Sequence, residues 1–157
     1  MTMSKTMYEI TFELRYAVRV LERSACYWRT VDTMTRMAGL LSGTAAFAAI
    51  IGTNKEMTLA FGICFAILQA IEYILSPAAK AAAAHETSKI YDAIMAERLR
   101  KSPEELEQAL LDARTKDMVI VSNSLKRLAY NDVAEEIGRS DYGFRLGAWN
   151  RIVGLLA

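Results

Sequence analysis

Two apolar segments, Met37–Thr53 and Met57–Leu75, are separated only by Asn54, Lys55 and Glu56, and this pair constrains the chain more than any other feature. So short a connection obliges two helices to run antiparallel, so the polypeptide before Met37 and after Leu75 emerges at the same end. At about 1.5 Å per helical residue, the uncharged run from Met37 to Asn54 reaches roughly 27 Å, close to the ~30 Å hydrocarbon thickness of a bilayer. The pair reads as a transmembrane hairpin over residues 37–75. Its first segment is rich in small residues and its second in large ones, among them Phe61, Ile63, Phe65, Ile67 and Ile71. Gly39 and Gly43 have the small-xxx-small spacing that lets backbones approach in a membrane, which makes them candidate helix-packing positions.

The flanks read as ordinary amphipathic helix. Ile10, Leu14, Ala17, Leu21, Ser24, Trp28 and Val31 recur in steps of four and three, which predicts a helix over residues 1–36 with a coiled-coil-like seam. No proline interrupts it, so it is expected to continue into the first apolar segment. Pro77 predicts a break, followed by a returning helix within residues 76–101 that lies against the first. Ser102, Pro103 and Glu105 supply an N-cap, a proline in the first turn and the capping-box glutamate. Leu106, Leu110, Ala113, Met118, Val121, Leu125 and Leu128 then predict one helix to about Ile137, with Gly138 as its stop. In that reading helical spacing on both sides outweighs the β-branched run Met118–Val121. Phe144 to Leu156 forms a last short amphipathic segment within the C-terminal helical region 102–157. The expected fold is all-α and a single domain, 1–157: a two-helix transmembrane hairpin whose long amphipathic flanking helices form a cytoplasmic helical bundle.

Charge and cysteine content exclude several function classes. Lys and Arg number 19 against 18 Asp and Glu, so no whole-molecule electrostatic attraction to nucleic acid is expected. Cys26 and Cys64 lie in different helical segments and form neither a disulfide framework nor a metal cluster. Glu9, Glu13, Arg15, Arg19 and Glu22 run through what would be the apolar core of a signal peptide, so no cleaved leader is expected. There is no glycine-rich phosphate loop and no nucleophile elbow, and the single histidine, His85, lies on an alanine-rich helix without an orienting carboxylate. No enzyme, catalytic residue, cofactor or metal is expected.

Arg23, Arg29 and Arg36 precede the hairpin and Lys80 and Lys89 follow it, whereas the turn offers only Lys55 beside Glu56; by the positive-inside rule both termini are cytoplasmic. Tyr27, Trp28 and Tyr73 are candidate interface anchors on that side. Gln69 and Glu72, three apart on one face, are candidates for lining a water-filled path or for a helix contact. Glu72 falls near the cytoplasmic boundary, where snorkelling relieves much of the cost of a membrane carboxylate.

The long amphipathic helix, the two-span hairpin, and the continuation Ser76-Pro77-Ala78-Ala79-Lys80 through Ala84-His85-Glu86 resemble the SLATT-like two-transmembrane family. The stretches Leu128-Ala129-Tyr130-Asn131-Asp132-Val133 and Trp149-Asn150-Arg151-Ile152-Val153 resemble the tail of small bacterial and phage proteins with the same hairpin. The resemblance covers most of the chain by pattern. It implies a homo-oligomer in the bacterial inner membrane that permeabilises the bilayer in an anti-phage conflict system. The 157 residues show no sensor domain, so it further implies a separate sensor protein as partner. Two alternatives are a soluble helical interaction module whose apolar hairpin forms the oligomer core, and a holin-like lysis protein.

Overall fold

In the computed structural model, which describes residues 5–42 and 55–157, the first helix opens on a reciprocal capping box. Glu9 N donates to Thr6 Oγ1 at 3.3 Å and Thr6 N donates to Glu9 Oε2 at 2.8 Å, satisfying two of the N–H groups that a helix start leaves open. The bond from the Thr6 backbone, seconded by its hydroxyl, holds the Glu9 carboxyl below its usual range. From there α1 (Met7–Ser42) runs unbroken for 36 residues, roughly 54 Å at 1.5 Å per residue. The expected continuity from the amphipathic segment into the apolar one is therefore present up to Ser42. Residues 43–53 of the first apolar segment, Gly43 among them, lie outside the described residues.

α2 (Lys55–Leu75) and α3 (Pro77–Ala96) return along α1 in the opposite direction, followed by α4 (Pro103–Lys116), α5 (Asn123–Glu136), a 3-10 turn at Ser140–Tyr142 and α6 (Ala148–Leu156). The described residues are thus all-α. The break expected at Pro77 is made at Ser76, which adopts φ 44 and ψ 56 while Pro77 takes the first helical position. A residue before proline is disfavoured in the right-handed helical region, and Ser76 takes the left-handed one at the break. Ser76 N still donates to Glu72 O at 2.9 Å and Lys80 N to Ser76 O at 3.2 Å.

α1 is the axis of the core. Ile10, Leu14, Val18, Leu21 and Ala25 pack with Ala84 and Tyr91 of α3 and with Leu106, Leu110 and Ala113 of α4. Small residues, Ala81, Ala84 and Ser88 on α3 and Ser24 and Ala25 on α1, are buried, which lets the two axes approach closely. Ser24 Oγ is buried there without a hydrogen-bond partner. On its other side α1 meets α5 through charge as well: Arg23 grips Asp132 with Nε–Oδ2 2.5 Å and Nη2–Oδ1 2.8 Å, and Arg19 pairs with Glu136. A second cluster joins Leu125, Leu128 and Val153, with Tyr27, Val121 and Leu146 packed on it.

Several expected boundaries differ. The returning helix stops at Ala96 rather than Lys101, because turns over residues 97–100 lead to the Ser102 cap. The single helix expected to about Ile137 is two: residues 117–122 are extended, Val119 N donates to Asp117 Oδ1 at 2.9 Å, and Ser122 caps α5 by accepting from Leu125 N. Asp117 and Ser122 offer the backbone alternatives to the helical ladder, and the β-branched run takes them. Val119 and Val121 turn inward while Met118 and Ile120 stand out at 90% and 93% exposure, an alternation of period two. Met118 is accordingly not part of any buried stripe. The last amphipathic segment is helical only from Ala148, because Asn131 engages the backbone of Phe144 in both directions, at 2.9 and 2.6 Å. Gly138 does end α5: with φ +72 it donates to Glu135 O while Arg139 N reaches Ala134 O, the bond pair of a Schellman cap.

Candidate functional site

The seam along α1 is filled by the chain's own α3 and α4, so it offers no coiled-coil surface to another copy. Large apolar side chains accumulate instead where α1 leaves the bundle and α2 returns to it. Met34, Met37, Leu40 and Leu41 on α1, and Ile63, Ile67 and Ile74 on α2, are all exposed, Leu40 to 74% and Ile74 to 77%. Of the residues from Met37 to Leu75 whose side chains the structure describes, none is buried, and those facing outward leave the hairpin an apolar exterior.

Gly39 faces α2. A Cβ built on it would lie 3.3 Å from Gln69 Nε2 and 3.9 Å from Phe65 Cε2, so this glycine serves the approach of α1 to α2 within one chain. The same contact brings the Gln69 amide against α1, although that residue is exposed, and Glu72, one turn on, is half-buried. The two polar residues thus follow the edge of the α1–α2 seam toward the bundle. Tyr27 and Trp28 are brought together edge to face at 5.3 Å, Tyr27 belongs to the second core cluster, and Lys80 Nζ lies 4.5 Å above the Trp28 ring. Tyr73 stands apart at 87% exposure, about two helical turns nearer the tip of the hairpin than Lys80.

Among the described residues no helix is long and apolar enough to cross a membrane. The described apolar part of α1 ends at Ser42, and in α2 the uncharged run ends at Glu72. No group of His, Cys, Asp or Glu among the described residues could hold a metal ion, and His85 is exposed.

Depressions among the described residues also occur away from the hairpin, and two of them combine far-separated parts of the chain. One, about 250 Å³, is lined by Tyr8, Phe12, Tyr130, Tyr142 and Arg139 between the start of α1 and the end of α5. It adjoins an aromatic cluster in which Tyr130 meets Phe12 at 5.9 Å and Phe144 at 5.1 Å. Its carboxylates are engaged: Glu9 by Thr6, and Glu13 by Lys5 Nζ at 2.7 Å and Arg114 Nη2 at 3.0 Å. The other is a polar groove of about 360 Å³ along the Arg19, Arg23, Asp132 and Glu136 pairs, where the hydrogen bond to Glu136 pushes the Arg19 guanidinium pKa further up. Sequence reasoning missed both, since residues more than a hundred positions apart form them and no local spacing announces them.

No protein-family model, characterised protein or solved structure matches this chain.

Proposed function

We propose that the protein is an oligomeric bacterial inner-membrane protein whose hairpin, residues 37–75, seats in the bilayer while the bundle remains on the cytoplasmic side with both termini. The observation that carries this reading is the uncovered apolar exterior of the hairpin. An exposed patch of this kind marks a partner or a membrane, and here it begins just beyond Trp28, Arg29 and Lys80, the residue types expected at the polar boundary of a bilayer. In the role implied by the SLATT-like resemblance, copies of the hairpin assemble into a pore under the control of a separate sensor protein, with Gln69 and Glu72 at the cytoplasmic mouth of the path. A lysis role of the holin type uses the same hairpin and is the weaker membrane alternative, because the cytoplasmic helices fold into a packed bundle.

One observation favours a second reading, a helical interaction module in which several hairpins cover one another. It is that no described helix is long and apolar enough to cross a membrane. Fractionation of cells expressing the intact chain separates the two. Retention in carbonate-washed membranes supports the bilayer reading, and a monodisperse detergent-free oligomer refutes it. For the pore, Gln69→Leu with Glu72→Leu is expected to change conductance in reconstituted vesicles; unchanged conductance removes those residues from the path.

A further inference from the structure

α6 carries one broad apolar face, and the bundle covers only its Val153 edge. Toward the bundle it buries Val153 against Leu125 and Leu128, and Gly154 approaches Leu128 so closely that an added Cβ would meet it at 3.4 Å. Beyond that edge Trp149, Ile152 and Leu155 recur every three residues along the outward remainder of the same face; they are 67%, 50% and 87% exposed. The chain itself supplies no cover for the part of this apolar face that lies beyond Val153.

The surroundings of α6 are basic. Tyr27 packs on the Val153 cluster, so α6 adjoins α1 at the level of Trp28, about two turns before the exposed apolar end of α1 begins. Four exposed cations share that level: Arg29 beside Trp28, Lys80 over its ring, Lys126 beside Leu125, and Arg151 on α6 itself. None of the ion pairs among the described residues uses any of them. The nearby carboxylates Asp32 and Asp132 are bound to Arg36 and Arg23. A chain with 19 cationic and 18 anionic side chains therefore concentrates uncompensated positive charge at the base of its hairpin.

We propose that the outward face of α6 and these four cations form a second membrane contact, one that takes the anionic headgroup layer of the bilayer in which the hairpin is seated. The proposal rests on the membrane reading above. An anionic leaflet complements the collar, and the apolar arc enters the acyl boundary beside it. A second copy docked face to face would instead bring the same cations opposite one another.

The test uses the full chain with Trp28→Phe, which leaves Trp149 as the only one of the two tryptophans. It is reconstituted into phosphatidylcholine vesicles with and without about one-third phosphatidylglycerol, a composition that sets the negative surface potential. In the anionic vesicles Trp149 emission is expected to shift to the blue and to be quenched by brominated lipid, more than in the zwitterionic ones. Arg151→Gln should weaken this docking about fivefold, and Ile152→Asp, at an exposed position, should abolish it. Equal iodide quenching of Trp149 in both vesicles overturns the proposal. So does a blue shift that grows with protein density and resists brominated lipid, which assigns the face to a second copy. Retention after an alkaline wash reads the hairpin separately: chain retained with Trp149 in water refutes only the α6 contact, whereas chain lost in the wash refutes the membrane reading and this contact with it.

Discussion

Alkaline pH should destabilise this bundle, and Tyr91 should carry a large share of the effect. Tyr91 is 2% exposed between α1 and α4, and burial first, then the neighbouring Asp117 carboxylate, pushes its phenol up from 10.0 to about 12. Between those two values the unfolded chain has lost the tyrosine proton and the folded chain keeps it. Stability is therefore fully present below pH ~10 and falls as pH rises through the folded value. At 1.36 kcal/mol per pKa unit, the loss attributable to Tyr91 is about 2 kcal/mol by pH ~12, a large share of the ~5–15 kcal/mol that holds a domain together. Tyr91→Phe removes the titration while keeping the ring. Its own cost at neutral pH should be below about 1 kcal/mol, since the hydroxyl's bond to Asp117 Oδ2 is 3.4 Å long. The assay is guanidinium unfolding followed by circular dichroism at a series of pH values for the two proteins. The difference between them isolates Tyr91 from Tyr16, whose phenol is also raised by burial. Parallel stability curves for the two between pH ~9 and ~12 would refute the argument.

Other consequences concern single joints of the fold. Gly39→Ala should raise thermal stability by about 0.5–1 kcal/mol, because the new Cβ meets only the flexible end of Gln69 at 3.3 Å and Phe65 at 3.9 Å. Cross-linking of the proposed oligomer should give the same pattern for both proteins, and a pattern lost in the variant would assign this glycine to a contact between copies. Gly138→Ala should lose about 1 kcal/mol, since φ is +72 and nothing lies within 4 Å of the added methyl, leaving backbone strain as the main term; an unchanged denaturation midpoint would count against the cap. A double-mutant cycle on Arg23→Ala and Asp132→Ala should yield a coupling of about 1–2 kcal/mol, between the values for exposed and buried pairs. The two side chains are 23% and 26% exposed, and a coupling near zero would show that α5 is held by its apolar face alone.

Where a helix begins or ends was legible when the signal was local. The Ser102 box, with Glu105 closing it, is formed as its residues require, and Gly138 occupies the left-handed position that glycine tolerates best. The Thr6–Glu9 box carries the same signature and was available to the same reasoning. The split between α4 and α5 was legible only in part. The apolar stripe continues across residues 117–122 at helical spacing, and what breaks it is competition from Asp117 and Ser122 for backbone N–H groups.

By itself the sequence determined that the chain is helical, that apolar segments adjoin amphipathic ones, and that a helix starts at Ser102 and another stops at Gly138, because periodicity and capping act over a single turn or two. Tertiary structure decided which surfaces remain. It spent the α1 seam on α3 and α4, set Gly39 against α2, gathered Phe12, Tyr16, Tyr130 and Phe144 into one cluster, and left the hairpin exterior and the outer arc of α6 uncovered. A stripe of apolar residues states only that a helix needs a partner. Which partner it finds depends on the path of the whole chain, and here that path brings α3 and α4 back onto the α1 seam.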